Sequence, residues 1–472
     1  MLRTPRLLIL ALSFAIAGWS SAVSAAVKLP GVIGSDMVLQ QGAALPIWGW
    51  ADKGEEVTVS IAGQTVSGKA DDEGRWKVSL AKFVATPDQK PLEMTVKGSS
   101  GNTITLKNIL IGEVWVCSGQ SNMEMGIGAA KDGAAEIKAA DYPEIRLFTV
   151  PKPKVKPKEP EKDVKAIWEE CSPKTVGAGG WAGFSAAAYY FGRDLHKNLK
   201  VPVGLIHTSW GGTAAELWTS KKALEAEPTL KGMAGQGENS RLYNGMIAPL
   251  IPFAIRGAIW YQGEANVGRA AQYKVLLAAM IRNWRTDWSQ GDFPFGIVQI
   301  APYKYGTDGT PEAELWESEL AIAHSLPNTG VALTMDIGEL KDIHPKDKQD
   351  VGHRLALWAL ATIYGQNVEY SGPIYKSMKV DGNKVEISFD HVGGGLKSRD
   401  DKPLTDFTVA GADGKFQPAK AEINGAAVVV SSDAVPIPVA VRFAFSGTAQ
   451  PNLENKEGLP AAPFRTDGGT KQ

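Results

Sequence analysis

The pattern of apolar and polar positions divides the chain into three textures. From residue 27 to about 110, short runs such as Glu56-Val57-Thr58-Val59-Ser60-Ile61 put an apolar side chain at every second position. Asp52-Lys53-Gly54, Ala62-Gly63-Gln64 and Asp72-Glu73-Gly74 separate them. A period of two fits strands with one buried face, and such clusters form turns, so a small β-sandwich-like domain is predicted over 27–110. From 111 to 365 the apolar runs become continuous: Gly112 to Cys117, Val201 to His207, Ala254 to Tyr261, Phe295 to Ile300 and Gly330 to Met335. They alternate with helical patterns such as Phe184 to Leu199 and Ala270 to Trp284. Continuous apolar strands interleaved with helices predict a mostly parallel sheet covered on both faces, with function at the carboxyl ends of the strands. Over 366–472 the strands return (Val380 to Phe389, Ala426 to Ser431, Val439 to Phe445), and a second β-domain is predicted.

Two further segments change this picture. Arg3 and Arg6 precede an apolar run, Leu7 to Ala17, followed by the small residues Ser24, Ala25 and Ala26. A charged start, an apolar stretch too short to span a bilayer and a small-residue cleavage site predict a signal peptide over 1–26. The mature chain is expected to be exported, periplasmic or secreted, with no integral membrane segment. The second segment, Pro151-Lys152-Pro153-Lys154-Val155-Lys156-Pro157-Lys158-Glu159-Pro160, forbids helix and reads as an extended surface loop.

Charge and cysteine content narrow the function. The 50 Lys and Arg residues are matched by 51 Asp and Glu. No basic field exists to hold a nucleic acid or an anionic membrane. Two cysteines, Cys117 and Cys171, are too few for a disulfide framework or a Cys-based zinc site. Cys117 lies in a buried strand pattern and reads as an inert core thiol, while pairing of the two in an exported protein stays open.

The chemistry concentrates at the ends of predicted strands. The strand ending at Cys117 runs into Ser118-Gly119-Gln120-Ser121-Asn122-Met123. A serine at the turn where a buried strand stops exposes its hydroxyl where backbone N–H groups converge, although Ser and Gly are also ordinary turn residues. Of the six histidines, His344 in Lys341-Asp342-Ile343-His344-Pro345 is the best base. Pro345 keeps it out of helical geometry, and it follows a late strand. Asp342 is placed to orient its imidazole. His207, at the end of another strand, is a second-rank candidate to line the site. Gly211-Gly212-Thr213 offers backbone N–H groups, and Gln262 or Asn266 a side-chain N–H, to a developing oxyanion. Glu264 reads as a buried carboxylate bracing that loop. Trp210, Trp218, Trp260 and Tyr261 are candidates to stack on a sugar ring.

Together, Val116-Cys117-Ser118-Gly119-Gln120-Ser121-Asn122-Met123, Gly211-Gly212-Thr213, Tyr243-Asn244-Gly245-Met246-Ile247-Ala248-Pro249-Leu250, Trp260-Tyr261-Gln262-Gly263-Glu264 and Ile343-His344-Pro345 resemble the sialate O-acetylesterase family of the SGNH hydrolases. The resemblance implies a flavodoxin-like α/β/α catalytic domain flanked by the two β-domains. It also implies hydrolysis of O-acetyl esters on sialic acids or related sugars, with an O-acetylated glycan as partner and no metal or organic cofactor. Ser121 matches the nucleophile and His344 the base. The N–H of Ser121, the Gly211-Gly212 turn (Gly212 in particular) and the Gln262 side chain match the oxyanion donors. The wider SGNH pattern has Asp three residues before the His, where this chain has Lys341. The orienting group is therefore open between Asp342, Asp336 and a backbone carbonyl serving a Ser–His dyad. An acetylxylan or other polysaccharide esterase uses the same machinery, and a glycan-binding protein with a decayed hydrolase core is the alternative from another class.

Overall fold

The computed structural model describes residues 26–306 and 308–468, so the predicted signal peptide lies almost wholly outside the described residues. Its axis is one 17-residue strand, β1 (Thr103–Gly119). The first half of β1 pairs antiparallel with the strand Leu92–Gly98 and completes an N-terminal sheet with Glu56–Ile61 and Gln64–Lys69. A second N-terminal layer pairs Leu45–Trp50 with Arg75–Leu80. Burial alternates along Glu56–Ile61 and Arg75–Leu80, as the period of two requires, so their apolar faces meet between the layers. The second half of β1, from Ile109 on, is buried throughout and lies in the middle of a different, parallel sheet. Residue 110 therefore falls inside a strand shared by the N-terminal sheet of Leu92–Gly98 and the parallel sheet.

The parallel sheet comprises β1, β2 (Tyr142–Thr149), β3 (Trp168–Cys171), β4 (Val203–Ser209), β5 (Gly257–Tyr261), β6 (Phe295–Val298) and β7 (Thr329–Ala332). The spatial order is β7-β6-β5-β1-β4-β2-β3, with only the edge strand β3 antiparallel. Successive residues of β1 feed opposite faces. Trp115 and Cys117 enter a core shared with Phe191 and Trp358, on the helices α2 (Ala186–Leu199) and α5 (Lys348–Thr362). Val114 and Val116 enter the core on the other side, with Trp284 and Trp316 of α3 (Ala270–Trp288) and α4 (Thr310–Ser325). Trp115 makes edge contacts with Phe191 at 5.0 Å and Trp358 at 6.4 Å. Truncating a tryptophan so enclosed costs about 3–5 kcal/mol.

The strands after α5 pair antiparallel, and one predicted strand is divided. Val380 to Phe389 forms a hairpin, Ile374–Asp381 against Lys384–Asp390, turning at Gly382 with φ 59°. The Asp-Gly-Asn run between them carries the turn signal. Among the described residues no helix is long and apolar enough to cross a membrane. Cys117 and Cys171 are buried free thiols, and burial pushes the Cys171 thiol up to about 12.

Candidate active site

Three strands of the parallel sheet end in one place, and β1 sets its geometry. At Gly119 the backbone turns with φ 144°, and a Cβ there would lie 2.1 Å from the Tyr261 carbonyl oxygen, so only glycine allows β1 and β5 to close this tightly. The Gln120 N–H then donates to that carbonyl, and a single turn of helix, α1 (Ser121–Glu124), begins. Ser121 is its first residue. Among the described residues neither its N–H nor that of Gly212 meets an acceptor.

His344 arrives from the far side of the sheet, 223 residues later. Pro345 and the Asp347 cap, which accepts from Asp350 N at 3.2 Å, start α5 just after it and leave His344 on the loop. Its Nε2 lies 2.9 Å from Ser121 Oγ. Burial depresses the imidazole pKa, the Lys348 ammonium depresses it further, and Asp342 opposes both. A neutral imidazole facing the hydroxyl is the protonation state a base requires. Asp342 accepts from the His344 backbone N–H at 3.0 Å, while its carboxylate stands 3.7 Å from Nδ1, outside hydrogen-bond range. It fixes the loop rather than gripping the ring. The fallback Asp336 is engaged elsewhere, in a two-pronged pair with Arg354 at 2.7 and 2.6 Å.

Several residues join the site without having stood out in the sequence. Asn122 donates to Glu264 Oε1 and, at 3.0 Å, to the Ile343 carbonyl, and accepts from Lys348 Nζ at 2.7 Å. Lys348 is fully buried and also donates to the Pro345 carbonyl at 2.6 Å. Desolvation lowers its pKa to about 7 against the pull of Glu264. Asn122 and Lys348 thus tie the turn bearing Ser121 to the loop bearing His344. Glu124 accepts from the Gly211 N–H at 2.6 Å and from Lys152 at 2.5 Å, holding the glycine turn and the proline loop to α1. Asn122 lies inside the motif that ends at Met123, Glu124 follows it directly, and Lys348 sits four residues after His344. Nothing local marks a lysine in the first turn of a helix as buried.

Other expectations are corrected. The Gly211 N–H is occupied by Glu124 and is not free for an oxyanion, which leaves Gly212 in that turn. Gln262 is fully buried, and its amide faces Asn266 Oδ1 at 2.7 Å, Gln120 Oε1 at 3.2 Å and the Thr213 carbonyl at 3.2 Å. Three acceptors around two N–H groups leave none for an ester oxygen. Asn266 is buried with it, between the Ala215 N–H and Glu216. Glu264 is half-buried, bracing the loop through Asn122, its pKa raised by desolvation. His207 is buried against Ser209 Oγ at 2.6 Å, with its pKa pushed down to about 4 by desolvation, and does not bond Ser121. Trp218, Trp260 and Tyr261 are fully buried core, Trp260 lying edge-on between Trp218 and Trp284 at 5.9 Å each.

An α/β/α sheet that brings a serine hydroxyl and an imidazole together at its strand ends has the architecture of an SGNH-type ester hydrolase. The comparisons give the particular family. Residues 111–360 match the family model of the carbohydrate esterase, sialic acid-specific acetylesterase, and the chain belongs to that family. The human sialate O-acetylesterase is 31% identical over 391 residues, 75% of this chain and 74% of the relative. The rat enzyme is 30% identical over 440 residues, 80% and 81% of the two chains. A crystal structure of a carbohydrate acetylesterase from Xanthomonas citri superposes with a TM-score of 0.86 at 38% identity, covering 94% of this chain and 100% of that one. The protein is an esterase that hydrolyses acetyl esters of carbohydrate.

Proposed function

We propose that Ser121 is the nucleophile and His344 the base, and that the substrate is an O-acetyl ester of a sialic acid. The observation that carries the catalytic assignment is the 2.9 Å contact between His344 Nε2 and Ser121 Oγ. Ser121 attacks the acetyl carbon as its proton passes to Nε2. The Ser121 and Gly212 N–H groups hold the oxyanion. His344 then protonates the departing sugar oxygen, and a water activated by the same imidazole releases acetate from Ser121. Gln262 acts from behind, fixing Gln120. The division into a β-domain over 27–110, an α/β domain over 111–365 and a β-domain over 366–472 is proposed with it, the chemistry lying wholly in the middle unit. Export after removal of residues 1–26 is proposed too, and the N-terminal sequence of protein recovered from the periplasm or medium tests it.

The names of the relatives support sialic acid as the substrate. One observation favours a neutral sugar such as acetylated xylan instead. Lys152 and Lys156 reach Trp210 beside the glycine turn, but each is already paired with a carboxylate, Glu124 and Glu238 respectively. Acetate release from O-acetylated sialic acids and from acetylxylan, by the parent and by Ser121→Ala, tests both points. Turnover by the variant is expected to fall about 10⁴-fold or more. A folded Ser121→Ala protein that retains the parental rate overturns the assignment. A parent active only on acetylxylan overturns the choice of sugar alone.

A further inference from the structure

The departing alcohol has no assigned place, and the structure supplies one that the aromatic motifs did not suggest. We propose that Trp181 forms the leaving-group subsite, a platform on which the pyranose ring of the acetylated sugar lies. The inference rests on the reading above, because the oxygen that His344 protonates must come within about 3 Å of Nε2. The sugar carrying that oxygen is therefore confined to the surroundings of the imidazole. The Trp181 ring is there, its centroid 4.7 Å from that of His344 and its plane inclined at 77°.

Three observations make it a contact surface rather than core. First, Trp181 is 42% exposed, whereas Trp218, Trp260 and Tyr261 are enclosed, and Trp210 has the ammonium groups of Lys156 and Lys152 over its ring at 4.8 and 5.3 Å. Second, it stands on the exposed loop Gly177 to Ala182, where it is the one large side chain. Third, Trp181 and Ala182 both have left-handed backbone, φ 43° and 71°. A bulky residue holds that conformation only when its surroundings enforce it, and such residues gather at functional sites. The enforcement comes from the segment that follows α1: Gly126 N–H donates to the Trp181 carbonyl at 3.2 Å and Gly128 N–H to that of Ala182 at 2.9 Å. The nucleophile turn and the platform are thus carried by one stretch of chain. The C–H face of a pyranose is apolar and its hydroxyls point outward, which suits a tryptophan with one open side.

The test compares esters that share the acetyl group and differ in the alcohol. Trp181→Ala and Trp181→Phe are assayed on an O-acetylated pyranoside and on ethyl acetate, whose alcohol is too small to span the ring. Trp181→Ala is expected to lose about tenfold in kcat/KM on the sugar ester, mostly through KM, as for one desolvated aromatic contact. Its kcat/KM on ethyl acetate is expected to fall far less than on the sugar ester, which also reports a folded site, and Trp181→Phe is expected to recover most of the loss. Equal losses on both esters overturn the proposal in favour of a ring that only holds His344. No loss on the sugar ester overturns it outright. Neither result touches the roles of Ser121 and His344, which Ser121→Ala tests separately.

Discussion

The two ends of β1 put polar groups to opposite uses. Glu113, where β1 enters the parallel sheet, is buried and fully satisfied. It accepts from Arg256 Nε and a terminal guanidinium nitrogen at 2.6 and 3.0 Å, Gln41 at 2.7 Å, Tyr364 at 3.0 Å and Gln40 at 3.2 Å. Eight residues on, just past the strand's end, Ser121 stands with groups that lack partners among the described residues: its own N–H, that of Gly212, and the second oxygen of Glu264. A satisfied buried network rigidifies. Unpartnered donors near a nucleophile are pre-aimed at charge that appears only in the transition state. The same strand is therefore anchored at one end so that it can hold an incomplete arrangement at the other.

Substitutions at the two ends break this comparison most directly. His344→Ala is expected to reduce kcat/KM by about 10⁴-fold or more while leaving the unfolding midpoint in place. Glu113→Ala is expected to do the reverse. Leaving Arg256 and three other donors without their acceptor costs roughly 2–4 kcal/mol in chemical denaturation, while the protein that remains folded keeps its kcat/KM. A Glu113→Ala protein of parental stability, or a destabilised His344→Ala, contradicts the division.

Asp342 sharpens the comparison on a smaller scale. A carboxylate bonded to the imidazole supports turnover by about 10⁴-fold, whereas one at 3.7 Å that holds only the backbone supports far less. Asp342→Asn is expected to lower kcat less than about tenfold, because its amide oxygen can still accept the His344 N–H. A loss near 10⁴-fold would show that Asp342 closes onto Nδ1 in the working enzyme.

The smallest effects are in the pH profile. With His344 as the proposed base, the acid limb of kcat/KM is expected to report its free-enzyme pKa, whose depression places the loss of activity below the ordinary imidazole range as pH falls. Lys348 depresses that pKa and Asp342 raises it, so Lys348→Met is expected to move the limb to higher pH and Asp342→Asn to lower pH. Shifts in the same direction would show that neither charge acts on the imidazole.

Much of the site was legible because its residues are marked by local chemistry. Ser121 follows a glycine where an apolar strand stops, and His344 precedes a proline and a helix cap, so strand end, loop and residue type agree before any packing is known. Burial is decided elsewhere. Gln262 and Asn266 follow a strand just as Ser121 does, Trp260 lies near that strand's end, and no local pattern shows that Glu216, Tyr273 and Trp218 will enclose them. The buried Lys348 and the exposed Trp181 invert the usual environments of their types, and inversions of that kind cannot be read from spacing.

The sequence alone therefore determined the three textures of the chain, the alternation of strands and helices in its middle, and the two loops that carry the proposed nucleophile and base. These follow from periodicity and backbone preference, which act over a few residues. Tertiary structure alone decided that Gln262 faces inward, that Asp342 holds the loop and not the ring, and that Trp181 stands beside His344. Each depends on which side chains meet across a hundred residues or more of chain or under a neighbouring loop, where desolvation and hydrogen-bond competition, not local propensity, set the outcome.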